Sequence, residues 1–361
     1  MRHVRPSTVA LLAVFLLLLG YSATALAAPS APSRTYTVLV GAGDVHHGVE
    51  VMAYFPDALR IHVGDTVHWV QNTNEIHTVT FLGGSQPPAL IVTAASLELT
   101  STPSPLVFNP AAVNSAAPVG GLGNTTTFVN SGLMGRETGQ SRSFDLTFTA
   151  VGTYHYLCLV HGVTMSGTVR VFGPHAHVAS PREVRVLGLR QLAQHMAKAP
   201  AVIRAAERQI KPATTNPDGT MTHTVWMGYS KGQIDLMQFF HGKLRVRPGD
   251  TVLWAMSPSN DAPHTVTFLN SQPEPGLVVP VPQPSGPPPV LYINPAVLLP
   301  SPFPPASVLT RSGMFNSGLM NPGTDTATWQ VSRDMTAGPL PYLCMLHDTS
   351  GMRGTLTVLP Q

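Results

Sequence analysis

The chain has two cysteines, and each stands in the same company. The first lies in TYHYLCLVHGVTMSGTVRV, where Cys158 is followed by His161 and Met165. The second lies in LPYLCMLHDTSGMRGTLTV, where Cys344 is followed by His347 and Met352. Upstream, a further histidine opens each of two near-identical stretches, His77 in HTVTFLGGSQPP and His264 in HTVTFLNSQPEP. A thiolate, two imidazoles and a weak axial thioether form the donor set that holds copper in a trigonal geometry acceptable to both Cu(I) and Cu(II). Electron transfer at such a site needs little rearrangement. The sequence therefore offers two copper sites, one of His77, Cys158, His161 and Met165, the other of His264, Cys344, His347 and Met352. The second set reads Cys-x2-His-x4-Met, and in the first the loop from histidine to methionine is one residue shorter.

Other uses of these residues fit less well. A disulfide between Cys158 and Cys344 would suit an oxidising compartment, but each cysteine is bracketed by the same ligand types in its own segment. Zinc could take Cys, His and His, yet has no use for the methionine. His46-His47 and His175-x-His177 are isolated pairs and read as incidental.

The elements that must position these ligands are themselves repeated. LRIHVGDTVHWV answers LRVRPGDTVLWA, and FVNSGLM answers FNSGLM; Gly64 to Gly249, His77 to His264 and Cys158 to Cys344 are separated by 185, 187 and 186 positions. One domain has been duplicated. Each copy alternates apolar and polar residues, as in Leu59, Ile61, Val63; Val67, Trp69; Phe144, Leu146, Phe148; and Ala327, Trp329, Val331. Such strands, separated by Gly and Pro turns, predict an all-β chain of two tandem antiparallel sandwiches, at 35–173 and 221–361. His77 shares parity with Val79 and Phe81, and His264 with Val266 and Phe268, so both should point inward. Residues 174–220 read as a linker, helical from the Ser180-Pro181-x-Glu183 start and broken near Pro200. Seven Lys/Arg against two Glu in 180–212 make it the most basic stretch, a spacer packed against one domain or a docking element for an acidic partner or anionic surface. Long Pro-rich segments, 84–127 and 271–314, separate each HTVTF strand from its NSGLM motif.

Only 11% of residues are charged and the net charge is +3, which gives no nucleic-acid footprint. The N-terminus has Arg2, Arg5, an apolar run from Val9 to Leu19 and an Ala25-Leu26-Ala27 cleavage site. This predicts an export signal over 1–27 and a periplasmic or extracellular protein.

At the ligand residues the chain resembles the cupredoxins, in the plastocyanin-like and halocyanin-like branch. NSGLMGRETGQSRSFDLTFTAVGTYHYLCLVHGVTMSGTVRV is similar to the family's C-terminal half, and GDTVHWVQNTNEIHTVTF to its first ligand region. The resemblance implies Greek-key sandwiches, one type 1 copper per domain, and electron transfer to redox partner proteins outside the cytoplasm. It also implies that His161 and His347 are the exposed edges through which electrons leave. Multicopper oxidases and copper nitrite reductases share the fold but need further histidines. Here Leu157 and Leu159 flank one cysteine, and Leu343 and Met345 the other, so the His-Cys-His wiring is missing and an electron carrier is expected. Copper binding or delivery would use the same ligands and differ only in exchange rate, and a buried thiolate favours retention.

Overall fold

A computed structural model of the protein describes residues 32–97, 99, 104–135, 141–283, 286, 288–303 and 305–360; the expected export signal, 1–27, lies outside the described residues. Alternating side chains sort the short strands into faces. In Ala58–His62, Leu59 and Ile61 are buried while Ala58 and Arg60 face out. Val63, expected to share the inner face, is 41% exposed, because the strand ends at His62 and the chain turns through Gly64 at φ 92°.

In the first copy one sheet runs Ala58–His62, Gly162–Phe172, Gly152–Cys158, Thr80–Phe81, Val129–Asn130. Its counterpart runs Lys243–Val246, Arg353–Val358, Gly338–Leu343, Thr267–Phe268, Phe315–Asn316. Each packs against a second layer through aromatic rings. Trp69 meets Phe81 and Tyr156 at 5.9 and 5.4 Å, and Trp254 meets Phe268 and Tyr342 at 5.7 and 5.6 Å. The β-sandwich class holds for both copies. The sheets are mixed, however: Thr35–Asp44 runs parallel to Thr66–Gln71 and Ala58–His62 parallel to Gly162–Phe172, and the second copy repeats both pairings.

The second layers are one object. Val49–Phe55 pairs antiparallel with Ile234–Phe240, which joins the two copies into a single ten-stranded sheet. Each strand covers the edge that the other would leave open. The Pro-rich segments also join. Ile91–Thr93 and Leu106–Phe108 from one copy, and Val278–Val281 and Val290–Ile293 from the other, form a four-stranded sheet closed at Val107 and Tyr292. Residues 180–212 supply two helices, Pro181–Met196 and Ala199–Glu207, interrupted just ahead of Pro200. Ser180 and Glu183 form a reciprocal cap at the first turn. Val202 and Ala206 pack with Val51, Phe55, Ile234 and Leu236, so the helical segment lies across both copies instead of against one.

Candidate metal centres

Three stretches bring donors together in each copy. His77 precedes the Thr80–Phe81 strand and exchanges two backbone hydrogen bonds with Met134, at 3.0 and 2.8 Å; His264 does the same with Met320 at 3.0 and 2.8 Å. The NSGLM repeat supplies these partners. Its asparagines also brace the site: Asn130 Oδ1 accepts from Thr80 Oγ1 at 2.9 Å while its amide donates to the Ala112 and Asn114 carbonyls at 2.8 and 3.2 Å. Asn316 makes the matching bonds to Thr267, Val297 and Leu299. The repetition of NSGLM was the only sequence signal of this role.

Behind each first histidine stands a glycine at positive φ, Gly41 at 71° and Gly228 at 64°. A Cβ on Gly41 would come 2.7 Å from His77 Nε2, and one on Gly228 would strike His264 Nε2. Only glycine lets the backbone pass so close to the ring. His264 Nε2 has a partner in Asn260 Oδ1 at 3.3 Å, whereas His77 Nε2 finds no hydrogen-bond partner among the described residues.

Cys158 ends the Gly152–Cys158 strand, and Cys344 follows Gly338–Leu343. Each sulfur accepts a backbone N–H, from Thr78 at 3.4 Å and from Thr265 at 3.3 Å. The same threonines accept from the amide after each cysteine, Leu159 at 2.8 Å and Met345 at 2.9 Å. Sequence reasoning did not single out these threonines, although the repeated HTVTF carried them.

In the first centre His77 Nδ1 and His161 Nδ1 are 3.1 Å apart, and Cys158 Sγ lies 3.9 and 3.4 Å from them. In the second, His264 Nδ1 and His347 Nδ1 are 3.0 Å apart, and Cys344 Sγ lies 3.8 and 3.5 Å from them. Donors bonded at about 2.0–2.3 Å around one first-row ion in a plane would sit about 3.5–3.8 Å apart. The observed spacings bracket that range, so the residues fit a single ion per centre. Both cysteines are free and buried. These are the two His/Cys/His groups among the described residues whose ligand atoms lie within 4.8 Å of one another. Among the described residues His46 and His47 belong to no such group; His47 Nδ1 pairs with Asp44 at 2.7 Å.

Burial sets the protonation of the donors. It holds His77 and His264 well below the usual imidazole range, with repulsion from His161 and His347 adding to it. It lowers His161 to about 4 and His347 to about 3. It raises both thiols, Cys344 to about 11, against the pull of the amide hydrogen bonds.

The methionines close the sites differently. Met165 and Met352 are both fully buried in the core cluster that holds the cysteines. Met352 is tied to Cys344 by a backbone bond from the cysteine N–H to its carbonyl at 3.0 Å, and its own N–H bonds to the His347 carbonyl at 3.0 Å. In the first copy the ladder pairs Leu157 with Ser166 and Cys158 with Gly162, and Met165 falls in the bulge between them.

The second histidines are not the exposed edges that were expected. His347 is 5% exposed and His161 is only partly exposed. Both line a cleft of about 280 Å³ between the copies, together with Met52, Met237, Leu90 and Val297. The joined sheet and the Pro-rich segments turn these rings toward one another's domain.

Residues 42–172 match the model of the copper-binding proteins of the plastocyanin/azurin family. The chain carries a cupredoxin domain. The match ends at residue 172, and the kinship of the second copy rests on the repeated strands and ligands. Among solved structures, the Cu(I) form of one amicyanin variant is 22% identical over 41% of this chain and 88% of that one, with a TM-score of 0.22. An oxidised amicyanin variant is 21% identical over 38% of this chain and 81% of that one, with a TM-score of 0.22. Scores this low carry no weight for the fold. None of the curated proteins compared matches the chain.

Proposed function

We propose that this cupredoxin is an exported electron carrier with two type 1 copper sites, one in each copy. The observation that carries the reading is the pair of buried triads, each offering one sulfur and two Nδ1 atoms to a common point. Bound copper would supply one-electron exchange between Cu(I) and Cu(II). The chain supplies the rest. His77, Cys158 and His161, and likewise His264, Cys344 and His347, would hold the ion, with Met165 and Met352 as the further donors of the two sets. Thr78 and Thr265 aim N–H groups at the sulfurs and so stabilise the thiolates. Asn130 and Asn316 brace the strands that follow the first histidines, and the glycines let the backbone pass close to those rings, which would keep rearrangement small. Arg182, Arg185 and Arg190 stay exposed on the helical segment and suit an acidic redox partner or an anionic surface.

Purified mature protein tests the reading. Metal analysis should give two coppers per chain, with an intense visible thiolate-to-copper band that vanishes on reduction and returns on oxidation. Zinc in place of copper, or copper without that band, would reject it.

A further inference from the structure

Besides Asn260, one further neighbour of the second centre has no copy in the repeat. Glu75 of the first copy sends Oε2 to within 3.8 Å of His347 Nε2 in the second. Both side chains are nearly sealed from solvent, at 9% and 6% exposure. The carboxylate is held there. Its Oε1 accepts the Ile76 N–H at 3.1 Å, the Gln71 amide donates to the Glu75 carbonyl, and Asn74 Nδ2 donates to the Thr349 carbonyl at 2.9 Å. That last bond ties the Glu75 loop to the ligand loop of the other copy. His347 Nδ1 faces His264 Nδ1 and Cys344 Sγ, so Nε2 is the atom left free to meet a second group.

The position equivalent to Glu75, counted from the first histidine of each copy, is Ala262. Ala262 lines the same cleft but offers His161 no carboxylate. We propose that Glu75 is a positioning residue for the second copper centre alone, orienting the His347 ring and favouring the oxidised metal there. The proposal rests on the two-copper reading above. A ligating imidazole whose outer nitrogen meets a carboxylate is a stronger donor, and a nearby negative charge favours Cu(II) over Cu(I). Asp235 and Asp261 also line the cleft, but among the described residues no ion pair joins a carboxylate to His161, so the second centre should be the harder of the two to reduce.

The test isolates each centre in the full chain. With Cys158→Ser leaving only the second site, adding Glu75→Gln should shift the reduction equilibrium toward Cu(I) by about tenfold, and Glu75→Asp should restore part of the shift. With Cys344→Ser leaving only the first site, Glu75→Gln should change nothing, while Ala262→Glu should make that site harder to reduce. In metal-free protein, Glu75→Gln should move the ring nitrogen resonances of His347 and leave those of His161 in place. Equal shifts at both centres, or an unmoved second centre, would overturn the assignment to Glu75. Absence of the blue band in both single-site backgrounds would instead reject the copper reading itself.

Discussion

Glu50 faces Asp235 in the strand register that joins the two copies, and each is the other's counterpart in the repeat. Around them the pairing is reciprocal. Ile234 meets Val51 and Leu236 meets Val49, while Met52 N–H donates to the Gln233 carbonyl at 2.8 Å and Met237 N–H to the Gly48 carbonyl at 2.7 Å. The contact thus has the character of a self-complementary dimer interface built within one chain. It places the cleft, and with it His161 and His347, between the copies.

Both carboxyls at this centre are raised to about 7, Glu50 by burial and Asp235 by burial with the charges of Asp261 and Glu50 added. A carboxyl raised above its unfolded value keeps a proton in the folded state that the unfolded chain releases. Its contribution is therefore complete below the unfolded values of 4.5 and 3.8 and is lost as pH climbs through about 7. In copper-loaded protein, where the ligand imidazoles do not titrate, the unfolding free energy from urea titrations should fall between roughly pH 4 and 7, by on the order of a few kcal/mol. Glu50→Gln combined with Asp235→Asn should flatten that fall and be the more stable form at the alkaline end. An equally steep fall in the double variant would assign the effect to other groups.

The two His/Cys/His groups and the sandwich were legible because residue spacing and alternation are local signals. His77 and His264 are buried as their parity with Val79 and Val266 required. What the sequence hid was contact between copies. VEVMAYF and QIDLMQFF each carry a carboxylate that reads as solvent-facing, and the partner that buries it lies about 185 residues away. The Pro-rich segments hid their strands for the same reason, since runs of three or four residues such as Leu106–Phe108 and Val290–Ile293 are stable only against each other. The exposure expected of His161 and His347 failed as a consequence. It held for an isolated domain, and these domains cover each other.

Two independent thiolates predict simple stoichiometry. Cys158→Ser should remove about half of the visible band and one copper, and Cys344→Ser the other half. Metal analysis and absorbance on the same samples check this. Loss of all colour with either change would mean a single shared centre, which the separate triads do not allow.

Metal uptake should release protons in a fixed number. Burial keeps both thiols protonated at neutral pH, while His161 at about 4 and His347 at about 3 are already neutral. Each copper therefore displaces one proton, from sulfur, and affinity should rise about tenfold per pH unit between roughly pH 6 and 8. A pH-stat titration should record two protons per chain and one in Cys158→Ser. Release of two or more per copper would show that imidazoles carry protons in the metal-free protein.

The final prediction concerns the axial sulfurs. Met352 is fixed by backbone bonds to both Cys344 and His347, whereas Met165 arrives through a bulge opposite Cys158 after a loop one residue shorter. The two thioethers should therefore stand differently over their copper planes, and the axial contact is one of the determinants of potential at such sites. A thioether favours the oxidised ion, so removing it should favour Cu(I). Met165→Leu should raise the potential of the first centre only, and Met352→Leu that of the second only; leucine is close in volume and keeps the core filled. Redox titration of each variant, read in the visible band, would show two transitions in the parent protein and one displaced transition in each variant. A single unsplit transition that neither substitution moves would remove both methionines from the ligand sets, leaving His77, Cys158 and His161, and His264, Cys344 and His347, as three-coordinate sites.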